Sequence, residues 1–309
     1  MCNNFDYVWT VGTTSLGAGL FYLVPVWGLG FRPAPKLDAR TGKDIAVIAF
    51  LHLVGHFGAV LSMSLGAVSF THIVKAAEPV FSTVLSGLIL GKWAAWQVNL
   101  CLVPVILGVM IASVKLTFDP FAVELGDFNV HAFAGATVSN LAFALRSIYM
   151  KKMDDTPAKA AACKASNLTS DNIYAAYTIV AFFMAIPLAI FVDGQALSDK
   201  WNSIAVGNEF GVPTLSPAGM YRLTEVHLIT GLFFYLYNEA SSLALGNLDG
   251  VAHAVCNTVK RVIIMIAMSF FDKPLTPQKW AGAGIAIGGT LVYTLVKTSV
   301  EKAAKKKVL

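Results

Sequence analysis

Residues 68–90 read VSFTHIVKAAEPVFSTVLSGLIL, and this stretch decides the fold class. At 1.5 Å per residue it is long enough for a helix to cross a hydrocarbon layer of roughly 30 Å. It is too apolar for a surface helix, yet Lys75 and Glu78 sit near its middle. Charge at that depth is costly, so both are expected to face water, each other or a ligand. Pro79 has no N–H to bond the Lys75 carbonyl, so the helix is expected to weaken or kink there.

The rest of the chain shares this character. Of its 309 residues, 56% are hydrophobic and only 13% charged, with a mean hydropathy of +0.65. Soluble domains carry roughly a quarter charged residues, so a soluble single-domain enzyme is excluded. Apolar stretches predict nine spans, at 7–31, 45–64, 68–90, 98–116, 130–150, 172–192, 225–245, 251–271 and 280–297. The expected class is therefore an all-α integral membrane protein. Connections are short, with helix-ending prolines at 33, 35 and 274, except for 193–224, which reads as an exposed loop with a short interfacial piece. Cys2, Cys101, Cys163 and Cys256 form no CxxC pair and lack nearby histidines at metal spacing, so they read as packing residues. Neither a metal nor a cofactor is expected. The net charge of +5 lies in loops without a basic-aromatic patch, which points to membrane lipids and away from nucleic acid. No signal or transit peptide precedes the first apolar stretch, so the chain reads as mature or as incomplete at its N-terminus.

Lys and Arg bias loops toward the non-translocated side. Alternating the nine spans places fourteen of the 23 on one side, Arg32 among them, and five on the other. The C-terminus falls on the positive side and the N-terminus opposite. A weak internal echo pairs Leu65-Gly66 and His72 with Leu245-Gly246 and His253, and Trp96, Gly108 and Lys115 with Trp280, Gly289 and Lys297. The echo divides the chain into an N-terminal half, 1–116, with four spans and a C-terminal half, 117–309, with five; repeated halves are a common build of secondary transporters.

Four basic residues remain inside apolar stretches: Lys75, Arg146, Lys260 and Arg261; of the 18 acids only Glu78 and Glu239 do the same. The interior excess of two positive charges matches a phosphate dianion. Polar stripes at helical spacing, such as Thr71, Lys75, Glu78, Ser82 and Ser86, or His253, Asn257, Lys260 and Arg261, imply a shared aqueous centre. Arg forks onto phosphate and Lys is a compact point charge, so Lys260-Arg261 makes a sensible oxyanion clamp; alternatively one of the pair is an ion-pair partner and the other the ligand. Lys75 either binds substrate or pairs with Glu78 one turn on. Arg146 either faces the centre or snorkels to the positive side. His56 and His253 read equally as core residues or as ligands, and Tyr237 as packing or as a hydroxyl donor. Glu78 and Glu239 read as partners that orient cations.

These residues sit in stretches that resemble the plastidic phosphate translocator family of the drug/metabolite transporter superfamily, its triose-phosphate/phosphate branch in particular. The matching stretches are Gly55-His56, the run from Val68 to Phe81, Leu145-Arg146-Ser147-Ile148-Tyr149 with Lys151-Lys152, Tyr235-Leu236-Tyr237-Asn238, and His253-Ala254-Val255 with Asn257, Val259, Lys260, Arg261 and Val262. The resemblance implies a ten-helix transporter of two inverted halves in the plastid inner envelope. It exchanges inorganic phosphate for phosphorylated three-carbon compounds such as triose phosphate and 3-phosphoglycerate. It places phosphate-binding cations at Lys75, Lys260 and Arg261 and further substrate contacts at His56, Tyr237 and Arg146, with His72, Glu78, Glu239, His253 and Asn257 supporting or gating. Two departures stand out: Ala59 replaces a small hydroxyl residue, and the chain starts where the family's second helix begins, so the first helix is expected to be missing.

Competing readings remain. His253 resembles the triose-phosphate and phosphoenolpyruvate branches more than the hexose- or pentose-phosphate ones, so a phosphoenolpyruvate/phosphate translocator is an alternative. The ending Lys306-Lys307-Val308-Leu309 resembles a dilysine retrieval signal, which would suit a nucleotide-sugar antiporter of the endoplasmic reticulum or Golgi, or else it is a basic tail meeting acidic lipids. A mid-span Lys with a Glu counter-ion could form a retinal Schiff base. An enzyme is not expected, because no nucleophile, base and acid set appears.

Overall fold

The computed structural model describes residues 7–91, 93–113, 129–153, 156–206, 217–247, 250–271 and 275–306. Thirteen helices are found among them: α1 (Val8–Gly17), α2 (Leu20–Gly28), α3 (Ala39–Leu65), α4 (Val68–Lys75), α5 (Glu78–Leu90), α6 (Trp96–Leu100), α7 (Leu102–Ser113), α8 (Val130–Met153), α9 (Pro157–Ala165), α10 (Ser170–Val206), α11 (Pro217–Asn247), α12 (Gly250–Phe271) and α13 (Pro277–Lys306). Helices make up most of the described part of each of the nine expected spans. Five helical stretches are both long and apolar enough to cross a bilayer: Ala39–Leu65, Val68–Leu90, Trp96–Ser113, Ser170–Asp199 and Pro277–Ala303. α8, α11 and α12, at 24, 31 and 22 residues, match them in length. Large apolar side chains such as Phe21, Phe183, Phe191, Phe233, Ile263 and Phe270 face outward, as a hydrocarbon solvent permits.

The expected loop at 193–224 is corrected. Helix α10 runs on to Val206 and α11 already starts at Pro217. The run 193–206 contains no proline, and Asp193 is buried where it accepts from the backbone N–H of Thr10 at 2.7 Å and its hydroxyl at 3.0 Å. The connection before α10 holds a further short helix, α9, started by Thr156, whose hydroxyl accepts from the Lys159 N–H. Lys92, Lys115, Lys273, Cys2 and the end of the dilysine tail lie outside the described residues.

Two compact units are distinguished. The first comprises Met1–Phe57 and Tyr149–Gly246. In it α1 packs along α10, and the core is formed by Leu16, Leu23, Ile48, Leu53, Tyr174 and Tyr235 with their neighbours. Between α1 and α2, Ala18 and Gly19 keep helical angles, and the i→i+3 bonds from Phe21 N to Ala18 O and Tyr22 N to Gly19 O make a 3₁₀ turn that joins the two helices.

The second unit comprises Gly58–Ile148 and Asn247–Leu309. Its helices approach backbone to backbone at two crossings. A Cβ on Gly58 would stand 2.8 Å from the Gly135 carbonyl oxygen, and one on Gly135 would stand 2.9 Å from that of Gly58. A Cβ on Gly108 of α7 would lie 2.3 Å from the Ala286 nitrogen of α13, and one on Gly282 would lie 2.6 Å from the Ala112 nitrogen. Small residues at such crossings let helices gain van der Waals contact in lipid, where no hydrophobic force drives them together.

Span 68–90 is interrupted where Pro79 predicted it. α4 ends at Lys75 and α5 begins at Glu78; between them Ala76 N bonds Ile73 O, Ala77 N bonds Val74 O and Val80 N bonds Ala77 O, all three residues back. The result is a 3₁₀ turn in the middle of a span, and it frees carbonyls that an unbroken α-helix would use internally.

Candidate functional site

The second unit brings most of the interior charge around that turn. Three alternate carbonyls of the interruption each receive a side-chain donor from a different helix. The His72 carbonyl takes Arg261 NH1 of α12 at 3.4 Å, the Val74 carbonyl takes Asn140 Nδ2 of α8 at 2.9 Å, and the Ala76 carbonyl takes the Thr290 hydroxyl of α13 at 3.0 Å. Lys75 donates from Nζ to Ser139 Oγ at 2.7 Å and lies 4.5 Å from the centre of the Phe143 ring. The Arg146 guanidinium lies 4.7 Å from the same ring centre, so one aromatic face system on α8 meets both cations.

Arg261 reaches Glu78 at 3.5 Å, a long contact whose partners are attracted more by charge than by a tight hydrogen bond. Of the two readings of Lys260-Arg261, Arg261 thus has an acid partner, while Lys260 is half-buried on the adjoining face of α12. Ser62 and Thr71 share a 2.7 Å hydroxyl bond beside this group, both fully buried. Away from the span ends, the second unit therefore carries Lys75, Arg146, Lys260 and Arg261 against the single carboxylate Glu78, an excess of three positive charges. The side chains of His253 and Asn257 lie outside the described residues.

The first unit holds His56, Tyr237 and Glu239. His56 is buried, and its Nε2 lies 3.1 Å from the Gly12 carbonyl oxygen. A carbonyl only accepts, so Nε2 carries the proton and ties α3 to α1. Tyr237 is exposed on α11. Glu239 is the partner of a cation, as the sequence had suggested, but the cation is Arg32 and not one of the four inside the spans. It accepts from Arg32 NH1 at 2.6 Å, and the same nitrogen donates to Asp171 at 2.8 Å. Arg32, counted among the loop charges, is drawn in because α10 and α11 both offer a carboxylate beside it. Burial opposes its charge, but the bonds and attraction of Glu239 and then Asp171 outweigh that and hold the guanidinium more firmly protonated than usual.

The sequence matches the model of the Triose-phosphate Transporter family over residues 1–294. The chain belongs to the Triose-phosphate Transporter family. Curated relatives in this family include glucose-6-phosphate/phosphate translocator 1 of Arabidopsis thaliana, chloroplastic, 33% identical over 297 residues that make up 96% of this chain and 69% of the relative. The chloroplastic triose phosphate/phosphate translocator of Solanum tuberosum is 31% identical over 307 residues, 99% of this chain and 67% of the relative. The chloroplastic xylulose 5-phosphate/phosphate translocator of Arabidopsis thaliana is 31% identical over 311 residues, 99% of this chain and 68% of the relative. This is a family of transporters, not of enzymes, which disposes of the retinal and catalytic alternatives.

For this member of the triose-phosphate transporters, sequence reasoning found the interior cations but missed what holds them. Ser139, Phe143 and Thr290 read as ordinary helix residues. Their partners are an ammonium group and main-chain carbonyls, and carbonyls have no signature in a sequence.

Proposed function

We propose that the chain is an alternating-access antiporter of the plastid envelope that exchanges inorganic phosphate for phosphorylated three-carbon compounds. The observation that carries the phosphate part is the cluster of four cations and one carboxylate about an interrupted span of the second unit. An empty site of that charge is costly to carry through a bilayer, and a bound phosphate, at about −2, removes most of the excess. Exchange follows, because the return step needs an anion as the forward step did. Lys75, Lys260 and Arg261 are assigned to phosphate and His56, Tyr237 and Arg146 to further substrate contacts, with His72, Glu78, Glu239, His253 and Asn257 supporting them. The chloroplastic names of the relatives support the envelope location. Their substrates range over glucose 6-phosphate, triose phosphate and xylulose 5-phosphate at similar identity, so the three-carbon preference rests on the resemblance of the His253 region.

The division into halves 1–116 and 117–309 also finds support. The offset of 181 that takes Gly108 to Gly289 takes Val105 to Ala286. Gly108 packs on Ala286, and a Cβ on Gly289 would stand 3.0 Å from the Val105 nitrogen, so exchanging repeat-related positions maps one contact onto the other.

Radiolabelled phosphate uptake into proteoliposomes, preloaded with nothing, triose phosphate, phosphoenolpyruvate, glucose 6-phosphate, xylulose 5-phosphate or a nucleotide sugar, tests the reading. Uptake is expected to require a counter-substrate and to be fastest with the three-carbon phosphates. Equal uptake into empty vesicles would sink the exchange mechanism, and faster exchange with a sugar phosphate would replace the substrate. Lys260→Ala and Arg261→Ala are each expected to lower exchange at least about a hundredfold, as loss of a buried charged contact does.

A further inference from the structure

The three donors that meet the interrupted span do unequal work. Arg261 contacts the His72 carbonyl on its way to Glu78. Asn140 and Thr290 instead bracket Lys75, one on the carbonyl before it and one on the carbonyl after it. The Val74 carbonyl already accepts from Ala77 N at 3.0 Å, so the Asn140 amide is not needed to satisfy it. Asn140 is fully buried, and its Oδ1 has no hydrogen-bond partner among the described residues. A leucine would fill similar space without leaving an acceptor unpaired, so stability alone does not call for an amide here. Thr290 has one hydroxyl proton and two acceptors in range, Ala76 O at 3.0 Å and Ala286 O, four residues back on its own helix, at 2.9 Å. A valine would fill that space equally well. Ser139 precedes Asn140 by one residue, so a single turn of α8 holds the backbone beside Lys75 and also the Lys75 ammonium.

We propose that Asn140 and Thr290 are positioning residues for Lys75: by gripping the Val74 and Ala76 carbonyls they fix the 3₁₀ turn, and with it the place of the ammonium in the anion site. Pro79 prevents the turn from closing into a regular helix, and the two side chains prevent it from drifting. The inference deepens the phosphate reading and rests on it.

The test uses the purified full chain with Asn140→Leu, Thr290→Val and Thr290→Ser, two helices being probed so that failure of one variant to fold leaves the other. Three quantities are measured: the phosphate concentration that half-saturates exchange in proteoliposomes, the phosphate concentration that half-maximally raises the melting temperature in detergent, and the melting temperature without phosphate. Asn140→Leu and Thr290→Val are expected to raise both half-saturation values about tenfold or more, the scale on which a misplaced contact acts, while Thr290→Ser stays within about twofold of the parent. A lower phosphate-free melting temperature with unchanged half-saturation values would show a purely structural role and overturn the proposal. If the parent chain is stabilised by phosphate but exchanges nothing, the exchange reading fails and the melting series alone decides the positioning role. If the parent responds to phosphate in neither assay, both fall.

Discussion

Replacing Gly108 by alanine puts the α7–α13 crossing to a quantitative test. The added Cβ would lie 2.3 Å from the Ala286 nitrogen, 2.6 Å from the Gly282 carbonyl oxygen and 2.8 Å from the Ala286 Cα. All three are main-chain atoms, so no rotamer change relieves them. Reaching an ordinary contact near 3.4 Å requires the helices to part by about 1 Å, and a gap of that size forfeits a quarter to a half of each neighbouring dispersion contact. With the strain of overpacking, the loss is about 2–3 kcal/mol. Gly282→Ala meets Ala112 N at 2.6 Å and Gly108 O at 2.7 Å and is expected to cost a similar amount. Gly284 and Gly288 stand on the same helix with nothing within 4 Å of an added Cβ. Alanine there is expected to be neutral or stabilising by up to about 1 kcal/mol through helix propensity. Once one alanine has parted the helices the second costs little, so the Gly108→Ala, Gly282→Ala double variant should lose clearly less than the two losses combined. Thermal unfolding in detergent at a fixed scan rate ranks the five variants against the parent. Equal melting of Gly108→Ala and Gly284→Ala, or simple additivity in the double variant, would refute the crossing as described.

Two further outcomes are expected. Arg32→Met leaves Asp171 and Glu239 facing each other without a cation and is expected to cost about 3–5 kcal/mol; adding Glu239→Gln should recover part of it, and a double-variant cycle with no coupling would show the triad to be unimportant. At the start of α3, Thr41 N–H and hydroxyl both donate to the Asp38 carboxylate and hold it below its ordinary value of 3.8. A depressed carboxylate stabilises above its unfolded value and loses that contribution as pH falls through the folded one. Protection of the Thr41 amide hydrogen, measured relative to its intrinsic exchange rate at each pH, should therefore fall below about pH 4 and show no such fall in Asp38→Ala, and the same fall in that variant would contradict the cap.

The spans and the interruption at Pro79 were legible because length, apolarity and a missing N–H are properties of the chain itself. The interior cations were legible for the same reason, since a lysine in hydrocarbon needs explaining wherever it goes. Arg32 was not, because counting charges by loop treats every residue outside a span as solvated, and nothing local announces that Asp171 and Glu239 will close on it. The continuation of α10 past 192 was hidden by polar residues whose chief anchor, Asp193, is bonded to Thr10, 183 positions away in sequence. That Arg261 lies 3.5 Å from Glu78 could not be read from the adjacency of Lys260 and Arg261.

The 3₁₀ turn at Ala76–Ala77 has a consequence for phase. Each residue in such a turn advances by about 120°, against about 100° in an α-helix, so the two halves of the span are rotated by roughly 40° relative to a continuous wheel. Lys75 and Glu78, three apart across the turn, come close to eclipsed, which puts opposite charges along one line. Beyond the turn the buried polar residue is Thr83, sharing a 2.7 Å bond with the Tyr293 hydroxyl, while Ser82 and Ser86, which a single stripe would have sent inward with Thr71 and Lys75, are only half-buried. The span is two registers of one sequence, joined at the residue pair that follows its lysine.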